Sequence, residues 1–126
     1  EENVILVSGD VGFLYDINGL STVQKLPPNL KVIVMNNGGG GIFRWLEGPR
    51  ETGLLESHFE TKPKTSIKAA ASFCGLTYFC SSDQESTKKG LGELMNNNGP
   101  AILEISTDPK ISADIYKKYL RELRNN

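Results

Sequence analysis

Residues 4–12 read VILVSGDVG, and residues 31–41 read KVIVMNNGGGG. Each segment begins with a short apolar run, which is typical of a strand buried in a parallel sheet. Each run is followed by small and polar residues that are unusual after a buried strand. They are Ser-Gly-Asp in the first segment, and two asparagines followed by four glycines in the second. Because ligands of open parallel sheets bind beyond the carboxyl ends of the strands, the two segments indicate both the fold and the site.

The rest of the chain continues as alternating helices and strands. Apolar residues at helical spacing predict one helix from Phe13 to Val23, which Pro27-Pro28 ends. After the second strand, the pattern predicts a short helix over 42–46 and an irregular excursion over 47–64. Helices are then predicted over 66–73, 84–95 and 111–123, and strands between them over 76–80 and 100–106. A capping box is expected at 82–85. This order predicts an α/β fold with a parallel sheet.

The composition bounds the class of protein. The chain has 126 residues, enough for one domain, and a net charge of −1 argues against nucleic-acid binding by phosphate neutralisation. No apolar run reaches the length of a membrane span and no signal peptide is expected, so we expect no membrane insertion. Cys74 and Cys80 are expected to be free and buried, in a cytoplasmic protein. Because the chain begins without Met, we expect it to be a piece of a larger protein.

Asp10 follows the first strand and has two interpretations. It can cap the helix that begins there. Alternatively, the main-chain N–H groups of Val11, Gly12 and Phe13 form an anion site, as helix N-termini do. A carboxylate beside an anion is repulsive unless a cation lies between them. The second interpretation therefore implies a phosphate site with a divalent metal.

Asn37 and the glycines after it also have two interpretations. A run of glycines can be a flexible loop, or it can allow the main chain to approach a ligand closely and offer its carbonyls. The amide oxygen of Asn37 is a hard ligand that suits Mg²⁺. Since adjacent parallel strands end at the same edge, Asp10, Asn37 and a main-chain carbonyl could share one octahedral Mg²⁺ ion.

These residues match a known pattern. Gly9-Asp10, separated by residues 12–35 from Asn36-Asn37, resembles the thiamin diphosphate fingerprint Gly-Asp-Gly…Asn-Asn, with Val11 in place of the last glycine. Residues 9–20 (GDVGFLYDINGL) and 36–43 (NNGGGGIF) are similar to one family, the 2-succinyl-5-enolpyruvyl-6-hydroxy-3-cyclohexene-1-carboxylate (SEPHCHC) synthases of menaquinone biosynthesis. The resemblance covers nearly the whole chain.

The resemblance implies a larger enzyme. Residues 1–126 would be one domain, most of the C-terminal diphosphate-binding domain of three, with a three-layer α/β sandwich truncated on its N-terminal side. The full enzyme would be a homodimer or homotetramer that decarboxylates 2-oxoglutarate and adds the resulting succinic-semialdehyde carbanion equivalent to isochorismate in a 1,4 fashion. An activating glutamate would come from a domain outside this chain, so we expect the fragment alone to be inactive.

The resemblance also implies roles for individual residues. The metal, Mg²⁺ or alternatively Mn²⁺, would be held by Asp10, Asn37 and the carbonyl of Gly39. Thiamin diphosphate would be bound by those residues together with Gly9, Val11, Gly12 and Gly40. Ile42 and Phe43 would form an apolar wall beside the reacting centre.

Two rival functions remain open at this point. One is another thiamin diphosphate enzyme, a 2-oxo-acid decarboxylase or an acetohydroxyacid synthase, although those usually keep a glycine at the position of Val11. The other is a non-catalytic module that binds a phosphate or nucleotide through residues 9–12, which leaves Asn37 unexplained.

Arg44 is interpreted as a surface residue, with a substrate carboxylate as the alternative partner. His58 is expected to be exposed.

Overall fold

The computed structural model describes residues 2–22, 25–60 and 62–125. The strands are β1 (Val4–Gly9), β2 (Leu30–Asn36), β3 (Thr77–Ser81) and β4 (Ala101–Ser106). The α-helices are α1 (Asp10–Tyr15), α2 (Ile17–Ser21), α3 (Ile67–Phe73), α4 (Gln84–Asn96) and α5 (Pro109–Arg124). Two 3₁₀ helices (Gly41–Arg44 and Pro49–Glu51) and a π-helix (Leu55–Phe59) lie between β2 and α3.

The four strands form one parallel sheet in the order β1-β2-β4-β3, which confirms the predicted α/β architecture. Alternate residues of the central strands face opposite layers. Val32, Val34 and Ile102 pack with residues of α1 and α3, whereas Leu103 packs with Leu94 of α4. The sheet is therefore covered by helices on both faces, and all four strands present their carboxyl ends at one edge.

β1 differs from the prediction of a buried strand. It lies at the edge of the sheet, and its apolar residues Val4–Val7 are 44–62% exposed. A continuous apolar run indicates a strand, but its position within the sheet depends on which elements pack around it. The apolar side chains of β1 are therefore accessible on the surface of the described structure.

The predicted helix from Phe13 to Val23 is two helices. α1 ends at Tyr15, and α2 begins at Ile17 after Asp16, whose N–H still donates to the carbonyl of Gly12. Val23 lies outside the described residues. Both short helices pack their apolar residues against the sheet. The apolar spacing therefore predicted the buried face correctly, although the helix is interrupted at Asp16.

The excursion over 47–64 is less irregular than predicted. It contains the second 3₁₀ helix and the π-helix, and Glu60, just after the π-helix, is buried. The predicted capping box also shifts by one residue, since Asp83 and Ser86 form it at the start of α4. The expected short helix over 42–46 is the 3₁₀ helix Gly41–Arg44.

The cysteine prediction is half right. Cys74 and Cys80 are both free, but Cys80 is exposed on the edge strand β3 and only Cys74 is partly buried. Burial raises the pKa of the Cys74 thiol. Among the residues described, no helix is long and apolar enough to cross a membrane.

Lys31 is a buried cation that joins two parts of the fold. The residue is 1% exposed, and its Nζ donates to the carbonyls of Pro28 at 3.1 Å, Asn97 at 2.8 Å and Gly99 at 2.7 Å. The first carbonyl precedes β2, and the other two lie between α4 and β4. Lys31 therefore fixes the start of β2 against the loop that leads into its neighbour.

We expect Lys31→Met to lower the free energy of unfolding of the chain by about 2 kcal/mol. The substitution leaves three carbonyls without their donor, and each lost partner costs about 1–3 kcal/mol before the gain from the apolar side chain is counted. Denaturant unfolding followed by circular dichroism measures the change. Lys89→Met, on the exposed face of α4, is the matched control. Equal losses in the two variants would contradict the role given to Lys31.

Candidate functional site

The carboxyl edge of the sheet opens into a cavity of about 670 Å³. Asp10 after β1, Asn36 and Asn37 at the end of β2, and Ser106 and Thr107 at the end of β4 contribute to its lining. Basic and acidic side chains from the segments outside the sheet complete the lining: Arg44, Glu56, Glu60, Lys62, Lys64 and Lys110. The cavity is thus polar and lies where ligands of parallel sheets bind.

Asp10 joins the ends of β1 and β2. The residue is 4% exposed, and its Oδ2 accepts a hydrogen bond from the N–H of Gly39 at 2.7 Å. The N-cap of α1 is Gly9, and Asp10 is the first residue of the helix. The capping interpretation is therefore wrong, because the carboxylate of Asp10 points to the glycine turn after β2.

Asn37 places an amide oxygen in the same turn. Its Oδ1 is buried and accepts no hydrogen bond from the residues that the structure describes. A side chain at Gly41 would overlap the Asn37 amide, so a glycine there keeps the space that the amide occupies. A buried acceptor without a hydrogen-bond donor lowers the stability of the folded protein. Such an oxygen fits a site in which a cation is its partner.

The glycine turn has a backbone that other residues rarely adopt. Gly38 has a φ of 79° and Gly39 a φ of 128°. The carbonyl of Gly39, the third expected metal ligand, accepts a hydrogen bond from the N–H of Gly41 at 2.8 Å. That carbonyl keeps a second lone pair for another partner. The glycines are therefore required by the shape of the turn rather than by flexibility.

The oxygen atoms at this edge fit a hard divalent cation. No group of three or more His, Cys, Asp or Glu side chains that could hold a metal occurs in residues 2–22, 25–60 and 62–125. A cation here would depend on one carboxylate, Asp10, together with amide and carbonyl oxygens. That donor set suits Mg²⁺ rather than a softer metal.

The other expected cofactor contacts lie in the chain segments next to these residues. Gly9 ends β1, Val11 and Gly12 lie in the first turn of α1, and Gly40 precedes the first 3₁₀ helix. Gly40 packs closely against the carbonyl of Phe59, where an added Cβ would lie at 3.1 Å. The sequence elements that were expected to bind one cofactor thus converge on one edge of the sheet.

Ile42 and Phe43 lie in the first 3₁₀ helix, and their surroundings differ. Ile42 is 54% exposed, whereas Phe43 is half-buried and its ring lies 5.5 Å from that of Phe59. Trp45, just after this helix, stacks on Tyr116 of α5 at 4.3 Å. The 3₁₀ helix is therefore packed on two sides and leaves Ile42 open.

Arg44 is not a surface residue, although it lines the cavity. Its side chain is 12% exposed, and it forms ion pairs with Glu60, whose side chain is 5% exposed, and with Glu56 at 3.2 Å. Lys110 lies 3.4 Å from the same Glu56 oxygen. The interpretation of Arg44 as a surface residue is wrong because its partners lie in the excursion, whose folding the sequence pattern did not indicate. Its contact with a substrate carboxylate stays a prediction.

These charges shift one another's pKa values. Burial alone would lower the pKa of Arg44, but the hydrogen bonds that it donates to Glu60 and Glu56 more than offset it and the pKa is raised. Hydrogen bonds from Arg44 and then Lys110 lower the pKa of Glu56. His58 is exposed as predicted, and its Nδ1 lies 2.7 Å from the hydroxyl of Ser57. Arg44 and Glu56 thus stay charged near neutral pH, and the ion pairs tie the excursion to the first 3₁₀ helix and α5.

Sequence reasoning missed a second polar cluster, at the wall of the cavity. Glu104 on β4 is 9% exposed and accepts hydrogen bonds from Tyr78 at 2.5 Å and from Asn36 at 2.6 Å. A glutamate within the apolar strand Ala101–Ser106 was the signal that could have found it, because a buried charge needs partners.

Comparison with known proteins places the chain in a family. The family model described as "Thiamine pyrophosphate enzyme, C-terminal TPP binding domain" matches residues 1–105. The chain belongs to this family. Thiamine pyrophosphate is thiamin diphosphate, so this TPP-binding domain is of the kind that the strand-end residues predicted. The matched residues include all four strands except the last residue of β4.

Curated relatives extend the similarity to α5. The SEPHCHC synthase of Flavobacterium johnsoniae is 38% identical over 120 residues, which are 94% of this chain and 22% of that protein. The SEPHCHC synthase of Chlorobium phaeobacteroides is 34% identical over 122 residues, 97% of this chain and 21% of that protein. The resemblance found in the sequence is confirmed, and the TPP-binding domain spans about a fifth of the length of these relatives.

A solved structure has the same fold. Benzoylformate decarboxylase from Polynucleobacter necessarius superposes with a TM-score of 0.67, covering 85% of this chain and 20% of that one. Its sequence identity is 19%, so this likeness concerns the fold of the TPP-binding domain alone. It agrees with the parallel sheet and its helical layers.

Proposed function

We propose that residues 1–126 are the diphosphate- and metal-binding domain of a three-domain SEPHCHC synthase. The observation that carries the proposal is the meeting of Asp10 with the turn after Asn37. There a buried carboxylate holds the N–H of Gly39, in a turn that also carries an amide oxygen with no donor among the described residues. The names of the relatives support the particular reaction.

In this proposal each strand end has its own task. Asp10, Asn37 and the carbonyl of Gly39 hold Mg²⁺, with Mn²⁺ as an alternative. The main chain of Gly9, Val11, Gly12 and Gly40 lies against the diphosphate of the cofactor. The Asp10 carboxylate and the phosphates are all negatively charged and would repel one another. The positive charge of the cation would offset that repulsion.

The remaining chemistry belongs to the cofactor and to other domains. When bound, thiamin diphosphate supplies the electron sink that lets a 2-oxo acid lose CO₂. Ile42 and Phe43 form an apolar wall beside the reacting centre and keep water from it. The substrates are 2-oxoglutarate and isochorismate, and the succinic-semialdehyde unit left after decarboxylation adds to isochorismate in a 1,4 fashion. The activating glutamate belongs to a domain outside this chain.

We also propose that the full enzyme is a cytoplasmic homodimer or homotetramer. Apolar side chains exposed on β1 and along α5 support further packing partners: Val4–Val7, Ile111, Ile115, Tyr119 and Leu123. The two free cysteines agree with a reducing compartment. The net charge of −1 gives no support for nucleic acid as a partner.

A product assay on the full-length enzyme tests the proposal. With thiamin diphosphate, Mg²⁺ and both substrates, we expect release of CO₂ and consumption of isochorismate in equal amounts, and no turnover when isochorismate is omitted. CO₂ release from 2-oxoglutarate alone, or turnover of pyruvate instead, would favour a simple decarboxylase or an acetohydroxyacid synthase. The isolated 126-residue chain is expected to give no product under the same conditions.

A further inference from the structure

Three side chains, two of which line the cavity, form a continuous hydrogen-bonded series across the sheet. Tyr78 on β3 donates its hydroxyl to Glu104 Oε2 at 2.5 Å. Asn36 on β2 donates its Nδ2 to Glu104 Oε1 at 2.6 Å. Glu104 lies on β4 between those two strands and is 9% exposed. Both of its oxygens are thus engaged by neutral donors, which stabilises a carboxylate away from water.

Glu104 determines which way the Asn36 amide faces. Both oxygens of Glu104 act as acceptors, one toward Tyr78 and the other toward Asn36, so the NH₂ group of Asn36 points to it. The other end of the same amide then faces the glycine turn, where Asn36 Oδ1 accepts from the N–H of Gly38 at 2.9 Å. If the Asn36 amide were reversed, its NH₂ group would face the N–H of Gly38 and this bond would be lost.

The N–H of Gly38 begins the turn that reaches the proposed metal site. Gly38 and Gly39 both have positive φ angles, and the N–H of Gly39 donates to Asp10 at 2.7 Å. Asn36 is also held through its main chain, because its carbonyl accepts from the N–H of Thr107 at 2.8 Å. The main-chain bond fixes the end of β2, and the side-chain bond fixes the course of the turn after it.

Tyr78 secures the far side of the series. The residue is half-buried, and burial followed by the hydrogen bond to Glu104 raises the pKa of its hydroxyl above the ordinary value. Tyr78 therefore remains a donor at neutral pH and holds Glu104 in place. None of the three side chains is among the residues assigned to the metal or the cofactor.

We propose that Glu104 is a positioning residue: it sets the orientation of the Asn36 amide and thereby the Gly38–Gly39 turn that places Asn37 and Asp10 around a divalent cation. The inference rests on the proposed function, since it assumes a cation at this edge. It adds a role for a side chain that is not among the proposed ligands of the cation or contacts of the cofactor.

Removal of the acceptor tests the proposal in the full-length enzyme. Glu104→Leu leaves the Asn36 NH₂ group without its acceptor on β4, so the orientation of the Asn36 amide toward Gly38 is no longer fixed. We expect the apparent Mg²⁺ affinity, measured by calorimetry at a fixed thiamin diphosphate concentration, to fall about 10-fold, as for other residues that support metal ligands. Glu104→Gln is the conservative variant, because its amide oxygen can accept from Asn36 while its NH₂ group donates to the Tyr78 hydroxyl. Its affinity is expected to stay within about threefold of the parent.

Further variants separate positioning from charge. Asn36→Asp alone places two carboxylates together and is expected to weaken Mg²⁺ binding; a gain would show that negative charge near the cation matters more than orientation and would overturn the proposal. Glu93→Gln on the exposed face of α4 is the control and should match the parent. If Glu104→Leu fails to fold, Tyr78→Phe, which removes only one hydrogen bond, should weaken binding about two- to threefold. Unchanged binding in Tyr78→Phe would then overturn the proposal.

The outcomes distinguish this inference from the function on which it rests. Parent enzyme that binds thiamin diphosphate without any need for Mg²⁺ would overturn both. Normal Mg²⁺-dependent binding in the parent, with unchanged affinity in Glu104→Leu, would overturn the positioning role alone. An equal loss of affinity in Glu104→Gln would also overturn it, because the charge of Glu104 and not the orientation of the Asn36 amide would then be the cause.

Discussion

Asp10→Asn in the full-length enzyme is expected to weaken Mg²⁺-dependent binding of thiamin diphosphate by at least about 100-fold, beyond the range seen for residues that only support a metal ligand. The substitution keeps the size of the side chain, and its oxygen can still accept from Gly39 N–H, which lies 2.7 Å from Asp10 Oδ2. It removes the one carboxylate proposed to hold the cation. Calorimetric titration of the cofactor at several Mg²⁺ concentrations measures the effect.

The control for this prediction is Asp16→Asn. Asp16 lies at the junction of α1 and α2, is exposed, and is not among the residues that line the cavity at the carboxyl edge. It should leave cofactor binding and its Mg²⁺ dependence unchanged. Retention of full Mg²⁺-dependent affinity by Asp10→Asn would place the cation elsewhere and remove the main support for the proposed site.

Arg44→Met is expected to lower the free energy of unfolding of the chain by about 3 kcal/mol. Removing one partner of a buried ion pair leaves the other charge without compensation, which costs about 3–5 kcal/mol in fully buried pairs. Here the side chain of Glu60 is 5% exposed and that of Arg44 12%, so the lower end of that range applies. Denaturant unfolding with circular dichroism provides the measurement.

A double-mutant cycle checks that explanation. Arg44→Met combined with Glu60→Gln removes both charges, and we expect it to be more stable than Arg44→Met alone because no unpaired carboxylate stays buried. Arg121→Met, on exposed α5, is the control for loss of a positive charge. A double variant no more stable than Arg44→Met would mean that the ion pair is not the source of the loss.

The sequence predicted the parts of this molecule that depend on neighbouring residues. Apolar runs identified the strands, and the residues just after β1 and β2 identified the edge where Asp10 meets the glycine turn. These predictions succeeded because consecutive strands of the chain, β1 and β2, are also adjacent in the sheet. Strand ends then come together without any knowledge of the remaining packing.

The features that sequence reasoning missed depend on long-range packing. Glu104 meets Tyr78 and Asn36 only because β4 lies between β2 and β3 in a particular register. Arg44 is buried only because the excursion folds back and brings Glu60 to it. No local periodicity indicates either pairing, although a charged residue within a buried strand or beside an apolar pair is a signal that a partner must exist.

The exposed edge strand β1 has a consequence for the isolated chain. In the described residues β1 pairs with β2 alone, so its outer backbone groups form a template for another strand. Natural sheets commonly protect such edges with charges, proline or a covering element, whereas β1 presents Val4, Ile5, Leu6 and Val7. On its own, this chain is therefore prone to strand-to-strand self-association, and its concentration governs whether it stays monomeric.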